Sequence, residues 1–144
     1  MDIRWQLRYN NFKKALNKLA EVANKMQLDK LTELEKEGFI QRFEYTFELA
    51  WKTLQDLLKE KGYIDIAGPN ATLTQALTDG YISDAEGWRK MKKSRELTSH
   101  VYDDETAKII ANAIFTEYYN LLASLAIILE KEINNSQLNL FDNE

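Results

Sequence analysis

Seven apolar or aromatic side chains open the chain at Trp5, Tyr9, Phe12, Leu16, Leu19, Ala23 and Met26, separated by 4, 3, 4, 3, 4 and 3 positions. That alternation draws one stripe down roughly seven turns of α-helix, and the stripe has to be buried against something. The scarcity of turn residues narrows what that something is. In 144 residues there are one Pro and five Gly, too few breaks for the many short strands of a sandwich or barrel. With 44% hydrophobic residues, the chain can fill one core. The expected fold is all-α.

The pattern continues after a turn at 28–32. A second helix is expected over 33–61, burying Phe39/Ile40, Phe43, Phe47, Ala50/Trp51, Leu54 and Leu57/Leu58, with Gly62 at its end. Ile66-Ala67-Gly68-Pro69 cannot be helix interior. Asn70 is placed to cap a short helix over 71–78, and Ser83 or Asp84 another reaching Glu96 or Leu97. Asp103 or Asp104 then opens the longest helix, with a main stripe of Ala107, Ile110/Ala111, Ile114, Tyr118, Leu121, Leu125 and Ile128. A second row (Ile109, Phe115, Tyr119, Leu122, Ala126) widens the face beyond what one neighbour covers, which predicts burial against two helices or another subunit. The whole reads as an antiparallel up-and-down bundle of three long helices plus one or two short ones, spanning 1–134. Residues 135–144 read as a polar, disordered tail.

Composition removes several chemistries. There is no Cys, hence no disulfide, thiolate site or cysteine nucleophile, and His100 is the sole histidine. No metal site and no cofactor are expected. Nothing has the glycine pattern of a phosphate-cradling loop. Net charge is −4, so contact with RNA has to come from a local patch. The nearly apolar run 121–129 is half of what a bilayer-spanning helix requires, and the charged start MDIRWQLRYNN lacks a signal peptide's apolar run. These features predict a cytoplasmic protein without membrane contact.

One stretch is chemically loaded. Arg89, Lys90, Lys92, Lys93 and Arg95 put five of the 19 basic residues in seven positions, and His100 and Tyr102 follow directly. A continuous helix would hold His100 about 140° from Arg95, whereas a break near Thr98-Ser99 lets them converge. Such a pair suits metal-free cleavage of an RNA phosphodiester: His moves the proton, and Arg stabilises charge developing on phosphorus. One His cannot be acid and base at once, but a two-fold dimer brings two copies into one cleft. Arg89, Lys92 and Lys93 are candidate contacts for RNA or nucleotide phosphate. Trp5, Trp51 and Trp88 read as core or interface, and Glu44, Glu48 and Lys52 as an ion-pair ladder along the second helix in preference to a place lining the cleft.

Arg95-Glu-Leu-Thr-Ser-His100-Val-Tyr102 resembles the R-x4-6-H motif of HEPN domains, in the version that continues to H-x-Y. Phe43-Glu-Tyr-Thr-Phe-Glu-Leu-Ala-Trp-Lys52 resembles the second-helix signature of the nucleotidyltransferase substrate-binding protein group. Gly68-Pro69, Gly80-Tyr-Ile-Ser-Asp84, Trp88 and Met91 follow in that group's order, so the resemblance covers about residues 5–132. It implies a dimeric helical bundle working with a minimal nucleotidyltransferase, often as a toxin–antitoxin pair. The HEPN chain would be a metal-independent ribonuclease with Arg95 and His100 catalytic, silenced when the nucleotidyltransferase transfers AMP from ATP onto Tyr102. The alternative is a non-catalytic subunit that binds nucleotide or substrate for the partner enzyme. One departure favours the alternative. The position after the motif Arg is often Asn and here is Glu96, a carboxylate expected to repel phosphate or pair with Arg95. In the tail, Gln137-Leu-Asn-Leu-Phe141 resembles the peptide by which bacterial proteins dock on the replication sliding clamp, a match short enough to arise by chance.

Overall fold

The computed structural model describes residues 3–25, 30–99 and 103–142, all the secondary structure among them helical. The order is α1 (Arg4–Lys25), α2 (Glu33–Glu60), α3 (Gly68–Thr78), α4 (Ala85–Thr98), α5 (Asp104–Ala113), a π-helical turn (Ile114–Tyr118) and α6 (Tyr119–Asp142). α5, the π turn and α6 run on as one long element, giving the three long helices and two short ones of a bundle.

α2 is the axis of this bundle, packed against α1, α3, α4, α5 and α6. It starts at a capping box, where Thr32 accepts from the Glu35 N–H and Glu35 accepts from the Thr32 N–H. Its apolar residues Phe39, Phe43, Phe47, Ala50, Leu54 and Leu57 are buried, as are Trp5, Tyr9, Phe12, Leu16 and Leu19 of α1. Two polar ties fix α1. Arg8 Nε lies 2.8 Å from the buried Asp56 carboxylate of α2. On the other side the Tyr9 hydroxyl donates to the Ala126 carbonyl (3.2 Å) and to the Glu130 carboxylate of α6. Burial and Glu130 push the Tyr9 hydroxyl well above the ordinary phenol range, keeping it a donor.

α3 begins earlier than its sequence predicts, at Gly68 after Ala67, with Pro69 in the first turn. The missing Pro N–H is harmless there because no intrahelical partner exists for it. Asp84 caps α4 through the Gly87 N–H at 2.9 Å.

The largest departure from the sequence pattern is the π turn. A π turn accommodates an extra residue, and the buried set shifts accordingly. Ile110, Ala111, Ile114 and Tyr118 are buried as expected, but beyond them burial passes to Leu122, Leu125 and Leu129 rather than Leu121, Leu125 and Ile128. Phe115 stacks on Phe39 with ring centroids 4.7 Å apart, and Ile109 of the second row stays 61% exposed. The rod Asp104–Gln137 is long and apolar enough to cross a bilayer. Of its most apolar window, 28% is buried within the bundle.

α6 continues to Asp142, so the backbone of 135–142 is helical where its polar composition predicts a disordered tail. Extending an existing helix needs no new nucleus, and Gln, Asn and Leu do not stop it. The clamp-like stretch from Gln137 to Phe141 is thus part of a helix, not an extended peptide.

Two helix glycines have opposite surroundings. A Cβ on Gly87 would lie 2.8 Å from Asp84 Cγ and 3.0 Å from Leu121 Cδ1, whereas a Cβ on Gly38 of α2 would meet nothing within 4 Å. Gly-to-Ala inside a helix gains about 1 kcal/mol of propensity. We expect Gly38→Ala to raise the melting temperature by a few degrees. Gly87→Ala should lower it, because the displaced Asp84 cap is worth about as much as the propensity gained and the contact with Leu121 comes on top. Thermal denaturation of the two variants beside wild type checks the signs.

Candidate functional site

The loaded stretch lies on α4 and the junction after it. α4 is held by its apolar face, with Trp88 and Met91 buried, and by the π turn. The Tyr118 hydroxyl donates to the Lys90 carbonyl at 3.3 Å and shares a 2.6 Å hydrogen bond with Ser94 Oγ. Lys90 Nζ meets Glu117 at 3.1 Å, and Tyr118 stacks on Phe43 at 5.5 Å. The π turn therefore sets the height and rotation of α4, and with them the place of Arg95.

Thr98 and Ser99 end the helix. Thr98 Oγ1 donates to the Arg95 carbonyl (2.6 Å) and Ser99 Oγ to the Glu96 carbonyl (2.9 Å), satisfying groups that would otherwise hold the next turn. Asp103 starts α5 by accepting from Thr106 N (2.7 Å) and Thr106 Oγ1 (3.1 Å). Those hydrogen bonds hold its carboxyl below the usual carboxylate range. α4 is thus capped at Ser99 and α5 opens at Asp103, as the sequence leads one to expect. His100 and Tyr102 lie outside the described residues.

Arg95 is clamped from α2. Its Nη1 lies 3.2 Å from Glu44 Oε2 and its Nε 3.2 Å from Glu48 Oε1, and Nη1 also reaches Thr98 Oγ1 at 3.3 Å. Nε sits at ion-pair distance from Glu48 but off the hydrogen-bonding direction. The ladder predicted along α2 does not form this way: Glu44 and Glu48 turn to Arg95, Glu48 also accepts from Trp51 Nε1 (3.0 Å), and Lys52 lies over the Trp51 ring. Glu96 does not pair with Arg95 either. Its carboxylate takes Lys92, one turn back on α4. Trp5 and Trp88 are core residues, and Trp51 packs partly buried against the same cluster.

The basic run is largely neutralised. Arg89 pairs with Glu86 at 3.2 Å, Lys90 with Glu117, Lys92 with Glu96 and Arg95 with Glu44 and Glu48. Lys93 is exposed and makes no ion pair among the described residues. The run looks like concentrated positive charge in the sequence because its carboxylate partners come from α2, the π turn and α4 itself.

Beside Arg95 a cleft of about 310 Å³ opens between the first half of α2 and the α4–α5 junction, lined by Glu33, Glu37, Glu44, Thr98, Asp103 and Asp104 among others. Among the described residues, Lys36 is the only cation on its wall. No three carboxylates among them converge in a way that would hold a metal ion.

This geometry can be set beside known proteins. The chain matches the family model described as nucleotidyltransferase substrate binding protein like over residues 7–131, which include the Glu44–Glu48–Arg95 clamp and the α4–α5 break. The chain belongs to this family. It has the all-α, HEPN-like fold, and two solved structures share it. One, from Thermus thermophilus, has a TM-score of 0.71 at 34% identity, covering 79% of this chain and 94% of that one. The other, from Haemophilus influenzae, is described as revealing the fold of a substrate binding domain of a nucleotidyltransferase. It has a TM-score of 0.72 at 25% identity and covers 85% and 98% of the two chains. A Haemophilus influenzae protein named probable ribonuclease HepT is 31% identical over 98 residues, 65% of this chain. The chain spans 64% of that relative's length.

Proposed function

We propose that this family member is a metal-independent endoribonuclease that works as a homodimer with a minimal nucleotidyltransferase as its partner. The observation that carries the reading is the Arg95 clamp at a helix break. Two carboxylates from α2 fix the guanidinium at the end of α4, and the chain leaves the helix at Ser99, immediately before His100. An Arg fixed in advance needs no reordering when charge develops on phosphorus. In the mechanism the ribose 2′-OH attacks phosphorus, His100 of one protomer takes its proton, and the partner protomer's histidine protonates the 5′-oxygen leaving group. The products are a 2′,3′-cyclic phosphate and a 5′-hydroxyl. The similarity to a probable ribonuclease supports this reading. Likeness to a nucleotidyltransferase's substrate binding domain supports the partner.

A cyclic 2′,3′-phosphate on the cleaved RNA, together with a dimeric mass in solution, is the expected result. Linear 3′-phosphate produced directly, or full activity from a monomer, would overturn the mechanism. The partner's action has its own test. With ATP, Mg²⁺ and the nucleotidyltransferase, the chain should gain the mass of AMP while Tyr102→Phe gains none. AMP addition to Tyr102→Phe would move the acceptor elsewhere.

The acidic cleft and the paired basic run favour a second reading, in which the chain binds nucleotide or substrate for the nucleotidyltransferase without cleaving. Carboxylates on the cleft wall oppose phosphate binding there.

A further inference from the structure

If phosphate is repelled at the cleft wall and most cations of α4 are already paired with carboxylates, the binding energy for RNA has to come from another surface. A groove elsewhere among the described residues has the opposite charge. It runs between α1 and α2, encloses about 490 Å³, and is lined by Lys14, Lys18, Gly38, Gln41, Arg42 and Tyr45 together with Asn11 and Ala15. Three of these carry positive charge and none is a carboxylate. Lys14 and Lys18 are exposed one turn apart on α1 and make no ion pair among the described residues. Arg42, also exposed, is steadied by donating from Nη1 to the Lys18 carbonyl at 3.1 Å. Tyr45 stands 60% exposed beside them, an aromatic face with no ring partner among the described residues.

The second observation is Gly38. It sits inside α2, where glycine weakens a helix, and the protein's own packing gives no reason for it, since a Cβ there touches nothing. A glycine in that position leaves room for something outside the chain to approach the helix backbone. The third is continuity. Gln41 lines both this groove and the cleft beside Arg95, so the two meet along α2.

We propose that the α1–α2 groove holds single-stranded RNA flanking the scissile phosphate. Lys14, Lys18 and Arg42 take successive phosphates, Tyr45 stacks a base, and Gly38 lets the strand lie close to α2. Cations combined with an aromatic platform are the chemistry of sequence-tolerant single-strand binding. An isologous contact between two copies through this groove would bring like charges together, so a second copy fits it less well. The proposal rests on RNA being the ligand of the neighbouring site, as in the reading above, but not on cleavage.

The test uses the full-length His100→Ala protein in EDTA, so binding is read without cleavage, with a fluorescent 12-nucleotide single-stranded RNA as probe. Three lost phosphate contacts at a slope of about 0.7 each should flatten the salt dependence of the K14Q/K18Q/R42Q variant by about 2. Between 50 and 200 mM salt the parent should then lose about 20-fold more affinity than the variant. Tyr45→Ala should weaken binding at least about fivefold. Gly38→Leu should weaken it comparably while leaving mass and helicity unchanged, and K108Q/K131Q, exposed on the last rod away from the groove, should stay within about threefold. In the cleaving protein the groove substitutions should raise KM with kcat kept. An unchanged affinity and salt slope in the triple variant would overturn the proposal, as would a parent that binds no RNA. Intact RNA binding with loss of the dimer, or of the nucleotidyltransferase, would overturn it in favour of a protein interface. Absence of cleavage with groove-dependent binding would overturn only the nuclease reading.

Discussion

Arg95→Ala is expected to lower RNA cleavage by about 10² to 10³, the usual loss when one fixed donor to a developing oxyanion is removed. The loss should fall on kcat, because the role proposed for Arg95 is to meet charge building on phosphorus, whereas phosphates of the flanking strand are assigned to the α1–α2 groove. Arg95→Lys should recover little. An ammonium is a point charge and cannot keep Glu44 and Glu48 apart at two separate nitrogens as the guanidinium does at 3.2 Å each. Alanine also leaves those two carboxylates, each about a third or less exposed, facing each other without a cation. A modest loss of stability therefore accompanies the loss of activity, and E44Q/E48Q in the Arg95→Ala background should restore stability without restoring cleavage. Single-turnover kinetics with thermal melts on the same samples separates the two effects. Wild-type kcat in Arg95→Ala would remove Arg95 from the mechanism.

The largest stability effect is expected at Phe43. Its ring is wholly buried, stacked on Tyr118 at 5.5 Å and 22° and lying 6.3 Å from Phe47. It thereby joins the central helix to the π turn that positions α4. Truncating a fully packed Phe costs about 3–5 kcal/mol in lost transfer energy plus the cavity left behind. For a chain of this size that corresponds to a fall in melting temperature on the order of 10 °C. Ile64, 89% exposed, provides the contrast, and Ile64→Ala should stay within about 0.5 kcal/mol of wild type. Melts at one fixed protein concentration, required for a dimer, check the pair. A Phe43→Ala shift no larger than that of Ile64→Ala would mean that the core is not organised around α2 as described.

The main helices were legible because their apolar spacing is regular. Trp5 to Leu19 and Phe39 to Leu57 repeat at helical steps, and each lies in the core. Register along the last helix was legible only as far as Tyr118. Nothing in Ile114-Phe-Thr-Glu-Tyr118 marks a π turn, since the turn arises from packing Phe115 on Phe39 and Tyr118 on Phe43 together. The break after Arg95 could be read from Thr98, Ser99 and Asp103, which form local hydrogen bonds. The clamp on Arg95 could not, because Glu44 and Glu48 also satisfy the spacing of an ion-pair ladder on their own helix. Only the approach of α4 to α2 decides between these. Charge misled for the same reason: a run of Lys and Arg shows its cations in sequence, while its carboxylate partners lie up to 51 positions away, as Glu44 does from Arg95. The unpaired cations of the α1–α2 groove are separated in sequence and form no run at all. The signal that could have found them is Gly38, a lone glycine inside an otherwise strong helical pattern.

The most direct test of the central claim is RNA cleavage by the unmodified protein in excess EDTA, beside His100→Ala purified in the same way. Intact mass first establishes that Tyr102 carries no AMP. The account predicts cleavage by wild type, 2′,3′-cyclic phosphate ends, and loss of cleavage by about 10² or more in His100→Ala. Intact RNA after incubation with clean, dimeric wild type, across several sequences, would contradict it and leave the chain as a binding subunit of its nucleotidyltransferase.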